Sequence, residues 1–165
     1  MKKAVWSGIA AFVGVLAFAS VASAQSTGNI NVQVNVNARA KLVIGGTGTI
    51  TFADADPDST PTFNSGAISL DVKARTPFNA PVSLTVQANG DFANGSATIP
   101  LNTLAWTVTG GGFQAGSSNK DTAQTVGSWT GSGDRAGTHT YTLPNLWSYS
   151  TGTYAVQLNY TLVTP

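Results

Sequence analysis

Asn29-Ile30-Asn31-Val32-Gln33-Val34-Asn35-Val36-Asn37 carries an apolar side chain at every even position and an uncharged polar one at every odd position. The parity continues through Ala38, Ala40, Leu42 and Ile44 and stops at Gly45-Gly46. Successive side chains of a strand point to opposite faces, so this period of two predicts a β-strand with one buried face. At about 3.3 Å per residue the run from 29 to 44 would span roughly 53 Å. Strands are usually about five or six residues long. The run is therefore either two strands in sequence or one strand that overhangs its own domain.

Toward the N-terminus the character changes. Met1-Lys2-Lys3 is a short positive start, and Ala4 to Val21 is apolar apart from Ser7 and Ser20. Ala22-Ser23-Ala24 offers small residues for a signal peptidase, with Gln25 as the new N-terminus. This three-part pattern predicts a bacterial secretory signal over residues 1–24. No second apolar stretch follows, so no membrane span is expected after cleavage, and the expected location is secreted, at the cell surface or in an extracellular fibre.

Toward the C-terminus the same alternation returns between punctuating Gly, Pro, Asn, Ser and Thr. Thr49 to Phe52 reads as a short strand. Ile68, Leu70 and Val72 alternate within Ala67–Lys73, as do Val82, Leu84 and Val86. Leu104, Trp106 and Val108 share one face, and Tyr141 and Leu143 share another. In the last segment Tyr154, Val156, Leu158, Tyr160 and Leu162 alternate with small or polar residues. Gly110 to Asp134 reads as long loops around one strand near Thr125. Threonine and aromatic enrichment supports strands throughout. Seven or eight strands predict an all-β chain, an antiparallel β-sandwich of immunoglobulin-like type with an extended N-terminal strand; a small barrel is the alternative. The expected organisation is a signal over 1–24, an arm over 25–37 and a sandwich domain over 38–165.

Composition excludes much of the usual chemistry. The chain has 165 residues, with 8 Lys+Arg, 7 Asp, no Glu, no Cys and one His. Charged residues make up 9%, against roughly 25% in ordinary soluble domains. Removing residues 1–24 takes away Lys2 and Lys3, leaving six cationic side chains against seven acidic ones, a net −1. Nucleic-acid binding is not expected without a basic patch to meet phosphates. Disulfides, thiol catalysis and cysteine zinc sites are ruled out. His139 has no second histidine and no Gly-x-Ser-x-Gly elbow to work with, so it reads as structural and no catalytic residue is expected. No cofactor is expected. Asp54, Asp56 and Asp58 form the densest acidic cluster and are a weak Ca²⁺ candidate; an EF-hand would need Gly at Ser59 and an acid at Ser65. The plainer reading is a solvated turn closing the strand at Phe52.

The ending Leu146-Trp147-Ser148-Tyr149-Ser150-Thr151-Gly152-Thr153-Tyr154, leading into Leu158-Asn159-Tyr160-Thr161-Leu162, resembles the last strand of secreted bacterial pilin-like immunoglobulin folds of the spore-coat-protein-U and fimbrial-subunit type. Ile50-Thr51-Phe52, Ile99-Pro100 and Leu104-Ala105-Trp106 resemble that group's internal segments, and the alternating strand just after the signal matches its beginning. The absence of a disulfide departs from many of its members. The resemblance implies a structural role outside the cell and polymerisation by strand donation. Its implied partners are further copies of the chain, with a periplasmic chaperone or outer-membrane assembly protein to deliver them.

Two readings of the first run follow. In one, Ile30, Val32, Val34 and Val36 fill successive pockets in a neighbouring copy. At about 1.5–3 kcal/mol each this is a gross gain on the order of 6–12 kcal/mol, much of it offset by ordering the arm. In the other, the same residues form the first strand of their own sandwich. A different class of function, a monomeric binding module or adhesin, would use loop aromatics. Trp106 alternates with core residues and Trp147 reads as a plug before the last strand. Trp129, flanked by Gly127, Ser128, Thr130 and Gly131, is the tryptophan expected to be most exposed and the candidate ligand contact.

Overall fold

A computed structural model describes residues 26–165. The expected signal segment, residues 1–24, lies outside the described residues. The chain divides into two units, Met1–Val34 and Asn35–Pro165. Residues 26–34 of the first form neither helix nor strand.

The second unit is all-β. Its strands are β1 (Arg39–Ile44), β2 (Thr62–Arg75), β3 (Pro81–Ala88), β4 (Phe92–Asn94), β5 (Ala97–Ile99), β6 (Ala105–Thr109), β7 (Gly116–Ser117), β8 (Gln124–Thr130), β9 (Gly133–Pro144) and β10 (Leu158–Val163). A single 3₁₀ turn occupies Leu101–Thr103. Every pairing is antiparallel. One sheet runs in the order β1-β2-β9-β6-β7, another in the order β10-β3-β8, and β4-β5 is a small hairpin. Among the described residues no helix is long and apolar enough to cross a membrane.

The core sits between the two larger sheets, as in a sandwich. Val82, Leu84, Val86 and Ala88 alternate along β3 and are all buried. Leu70 and Val72 of β2, Trp106 of β6, Val126 of β8, and Tyr141 and Leu143 of β9 complete the cluster. Burying such side chains contributes roughly 1.5–3 kcal/mol each. β2 runs for 14 residues and carries a bulge. Its register with β9 shifts between Asn64 and Ala67, and Gly66 sits there with a left-handed φ of 72°, a conformation that favours glycine. The bulge aims Ser65 Oγ inward, where it accepts the backbone N–H of Tyr141.

Several segments differ from expectation, and the differences share a cause. The long opening run yields a strand only from Arg39 to Ile44, and residues 29–38 form none. Thr49–Phe52 is not a strand, although Ile50 and Phe52 are half-buried against the core. Tyr154 and Val156 keep the expected parity but lie before β10. All three stretches have the side-chain pattern of a strand without a continuous ladder among the described residues, and the last makes a single antiparallel bridge, Ala155 to Ala93. Gly110–Asp134 is more regular than expected, holding β7, β8 and the start of β9.

Candidate functional site

Tyr154, Val156, Leu158, Tyr160 and Leu162 are apolar or aromatic at alternate positions, the pattern of a buried strand face. All five are only half-buried, whereas the matching face of β3 is buried completely. Among the described residues β10 pairs with β3 on one side and has no ladder partner on the other. β1 is likewise the outer strand of its own sheet.

Between these two edges lies a groove of about 1810 Å³. One wall is Ile44 at the end of β1 with the strandless stretch from Gly45 to Pro57, the other the stretch from Leu146 to Leu158 with Tyr160. Phe63, Ile68, Leu104, Tyr141 and Leu143 reach it from the core side. The lining includes Ile44 of β1 and Leu158 and Tyr160 of β10 but neither Leu42 nor Leu162. The groove therefore stops before the end of the sandwich that holds Arg39, Arg75, Pro81, Gly133 and Val163 and lies toward the opposite end, which holds Thr62, Ala88, Pro144 and Leu158. Its volume is far larger than a single side chain.

The groove floor carries a pair of tyrosine hydroxyls. Tyr160 Oη is hydrogen-bonded to Tyr141 Oη and lies 3.0 Å from His139 Nδ1. This links β10 of one sheet to β9 of the other. His139 is fully buried, and burial pushes its pKa down from 6.5 to about 4. The ring is neutral at pH 7 and sits among Trp106, Phe113 and Tyr141. Burial pushes both tyrosine hydroxyls up.

At the groove mouth, Asp54, Asp56 and Asp58 are exposed. Asp56 folds the turn on itself: its Oδ1 accepts the N–H of Asp58, and its carbonyl accepts those of Ser59 and Thr60. Among the described residues no three carboxylate or histidine side chains come together as a metal site. Asn145 ties this loop down, donating from Nδ2 to the carbonyls of Ala55 and Thr60.

The expected assembly residues are strongly exposed: Ile30 90%, Val32 85%, Val34 77% and Val36 63%. The tryptophans differ from expectation. Trp106 is buried, but Trp129 is half-buried and anchored. Its Nε1 donates to Gly111 O at 2.8 Å, its ring meets Phe113 edge-on at 4.9 Å, and Arg135 lies over it at 5.7 Å. Gly112 makes room, since a Cβ there would strike the indole. Trp147 is instead the exposed one, at 70%, donating from Nε1 to Asp58 Oδ1. Small neighbours in the chain did not expose Trp129; they let it fold down. The groove as a unit was not read from the sequence. Its signal was the apolar parity of Ile50, Phe52, Tyr154 and Val156 in stretches too short to be complete strands.

Comparison with models of protein families finds no match, and comparison with curated proteins finds none either.

Proposed function

We propose that the protein is a secreted structural subunit, an immunoglobulin-like domain that builds an extracellular pilus-like fibre or surface coat. The N-terminal arm of one copy lies in the groove of the next and adds a strand to β10. One observation carries the reading. The same chain has a row of exposed apolar side chains, Ile30, Val32, Val34 and Val36, and a groove floored by Phe63, Ile68 and Leu143 beside a strand, β10, that is at the edge of its sheet among the described residues. Both repeat every second residue, so each could complete the other. Low charge favours such self-association, because copies repel one another weakly. The one histidine is enclosed among aromatic rings, which supports a structural role over a catalytic one.

Negative-stain microscopy tests this reading. The secreted protein is expected to form ordered filaments, and a variant lacking Gln25 to Asn37 is expected to stay monomeric. Filaments from the deletion variant would overturn the proposal.

A second reading, a monomeric binding module or adhesin, is favoured by Trp147, whose exposed indole lies beside Asp58. Glycan binding by a monomer, lost on Trp147→Ala, would be its signature.

A further inference from the structure

Charged side chains are few here, and they are sorted by end. At the end that the groove's lining does not reach, Arg39 and Lys41 of β1 stand directly across the ladder from Arg75 and Lys73 of β2. Like charges in that relation destabilise a sheet. Lys73 is paired, to Asp134 at 2.7 Å and Asp71 at 3.4 Å. Arg39, Lys41 and Arg75 have no carboxylate partner among the described residues. Arg135 at the start of β9 adds a fifth cation, so five cations meet two carboxylates, a net +3. At the opposite end, Asp54, Asp56 and Asp58 have no cationic partner among the described residues. Asp91 is bonded to Lys120 at 2.9 Å, and Asp121 follows it in the chain. Five carboxylates there meet one lysine, a net −4.

Building on the assembly reading above, we infer that the cationic face of β1 and β2 in one copy seats against the acidic loop of the next copy, and that this contact sets the direction of insertion. The arm joins its own domain at Arg39, at the cationic end. The receiving groove reaches the acidic end, where Asp54 and Asp56 line it. An arm laid antiparallel to β10 enters with its N-terminal end leading and leaves its C-terminal end at that mouth. Arg39 follows Val36 by three residues, about 10 Å of extended chain. The positive end of the donor therefore meets the negative end of the acceptor. A parallel arm would instead bring two cationic ends together. Antiparallel pairing is also slightly the more stable per residue. Opposed patches of this kind speed encounter and reject the wrong orientation more than they tighten the final complex.

The test follows filament growth by light scattering in the secreted protein and three variants. Arg39→Asp with Lys41→Asp, and separately Asp54→Lys with Asp58→Lys, are each expected to slow growth about tenfold or more at low salt. The combined fourfold swap is expected to restore the rate, and 0.5 M NaCl (roughly a 4–5 Å screening length) is expected to remove the differences. Circular dichroism confirms that each variant is folded. Equal rates for all variants at every salt concentration, with filaments still lost on arm deletion, would overturn the charge contact and leave arm insertion standing. Filaments that survive arm deletion would overturn both. Unchanged growth alongside retention of the unassembled protein on a polyanion column, lost in the Arg39→Asp/Lys41→Asp variant, would assign the cationic face to another partner and overturn the inference.

Discussion

His139 concentrates the chemistry of the core in one side chain. Its imidazole has an ordinary pKa of about 6.5 in the unfolded chain and about 4 in the folded one, because burial disfavours the charged ring. Between those values the unfolded chain takes up a proton that the folded chain refuses. Stability is therefore full above pH 6.5, falls as pH drops toward 4, and levels off below it. The loss is on the order of 3 kcal/mol. Urea midpoints measured from pH 7.5 to 4 should show this slope, and His139→Gln should flatten it. Asp91 is held below the ordinary carboxylate range by the Leu101 N–H and then by Lys120, and Asp134 chiefly by Lys73. Their contributions are present above that range and lost as pH falls below it, so the two windows separate. Gly137 is a different kind of constraint. A Cβ there would run into Thr109 O and the Phe113 ring. Gly137→Ala should cost about 1–3 kcal/mol in the same titration at pH 7. Neither demand was visible in the sequence, where His139 is one polar residue in a strand and Gly137 one glycine of 18. Each depends on what lies across the sheet.

At the level of the strand, alternation proved to report which face is apolar and to say nothing of hydrogen-bonded neighbours. β3 and β10 were legible because both conditions hold there. Ile50, Phe52, Tyr154 and Val156 carry the same alternation in stretches that lack a ladder. They line one groove, and Ile30 to Val36 is another alternating run that forms no strand among the described residues. Under the proposed insertion of that run, its register follows from parity. A one-residue slip would turn every side chain to the wrong face. Val34→Asn would bury an amide among apolar side chains, at about 1–3 kcal/mol, and should raise the concentration needed for filaments tenfold or more. Asn31→Ser lies on the outward parity and should leave that concentration unchanged. Sedimentation of filaments across a dilution series reads both. Equal effects of the two substitutions would mean that the arm does not add as a strand.

The whole sandwich has one face finished and one face open, and that asymmetry has a thermodynamic consequence. The inner face of β3 is sealed, while Tyr154 to Leu162 and Phe52, Phe63 and Ile68 are covered only in part. An isolated subunit leaves water against that apolar surface. Filling the groove removes it, and anything that binds only the folded state raises stability by mass action. A synthetic peptide of residues 29–37 added to the arm-deleted domain should therefore raise its melting temperature. At a hundred times its dissociation constant the gain is about 2.7 kcal/mol, several degrees for a domain of this size. A peptide of the same composition with the parity shuffled supplies the hydrophobicity without the register and should leave the melting temperature unchanged. The intact protein should melt higher as its concentration rises, because each arm then finds a neighbour's groove. A melting temperature independent of concentration, in a protein that nonetheless responds to the peptide, would mean that each arm occupies its own domain's groove.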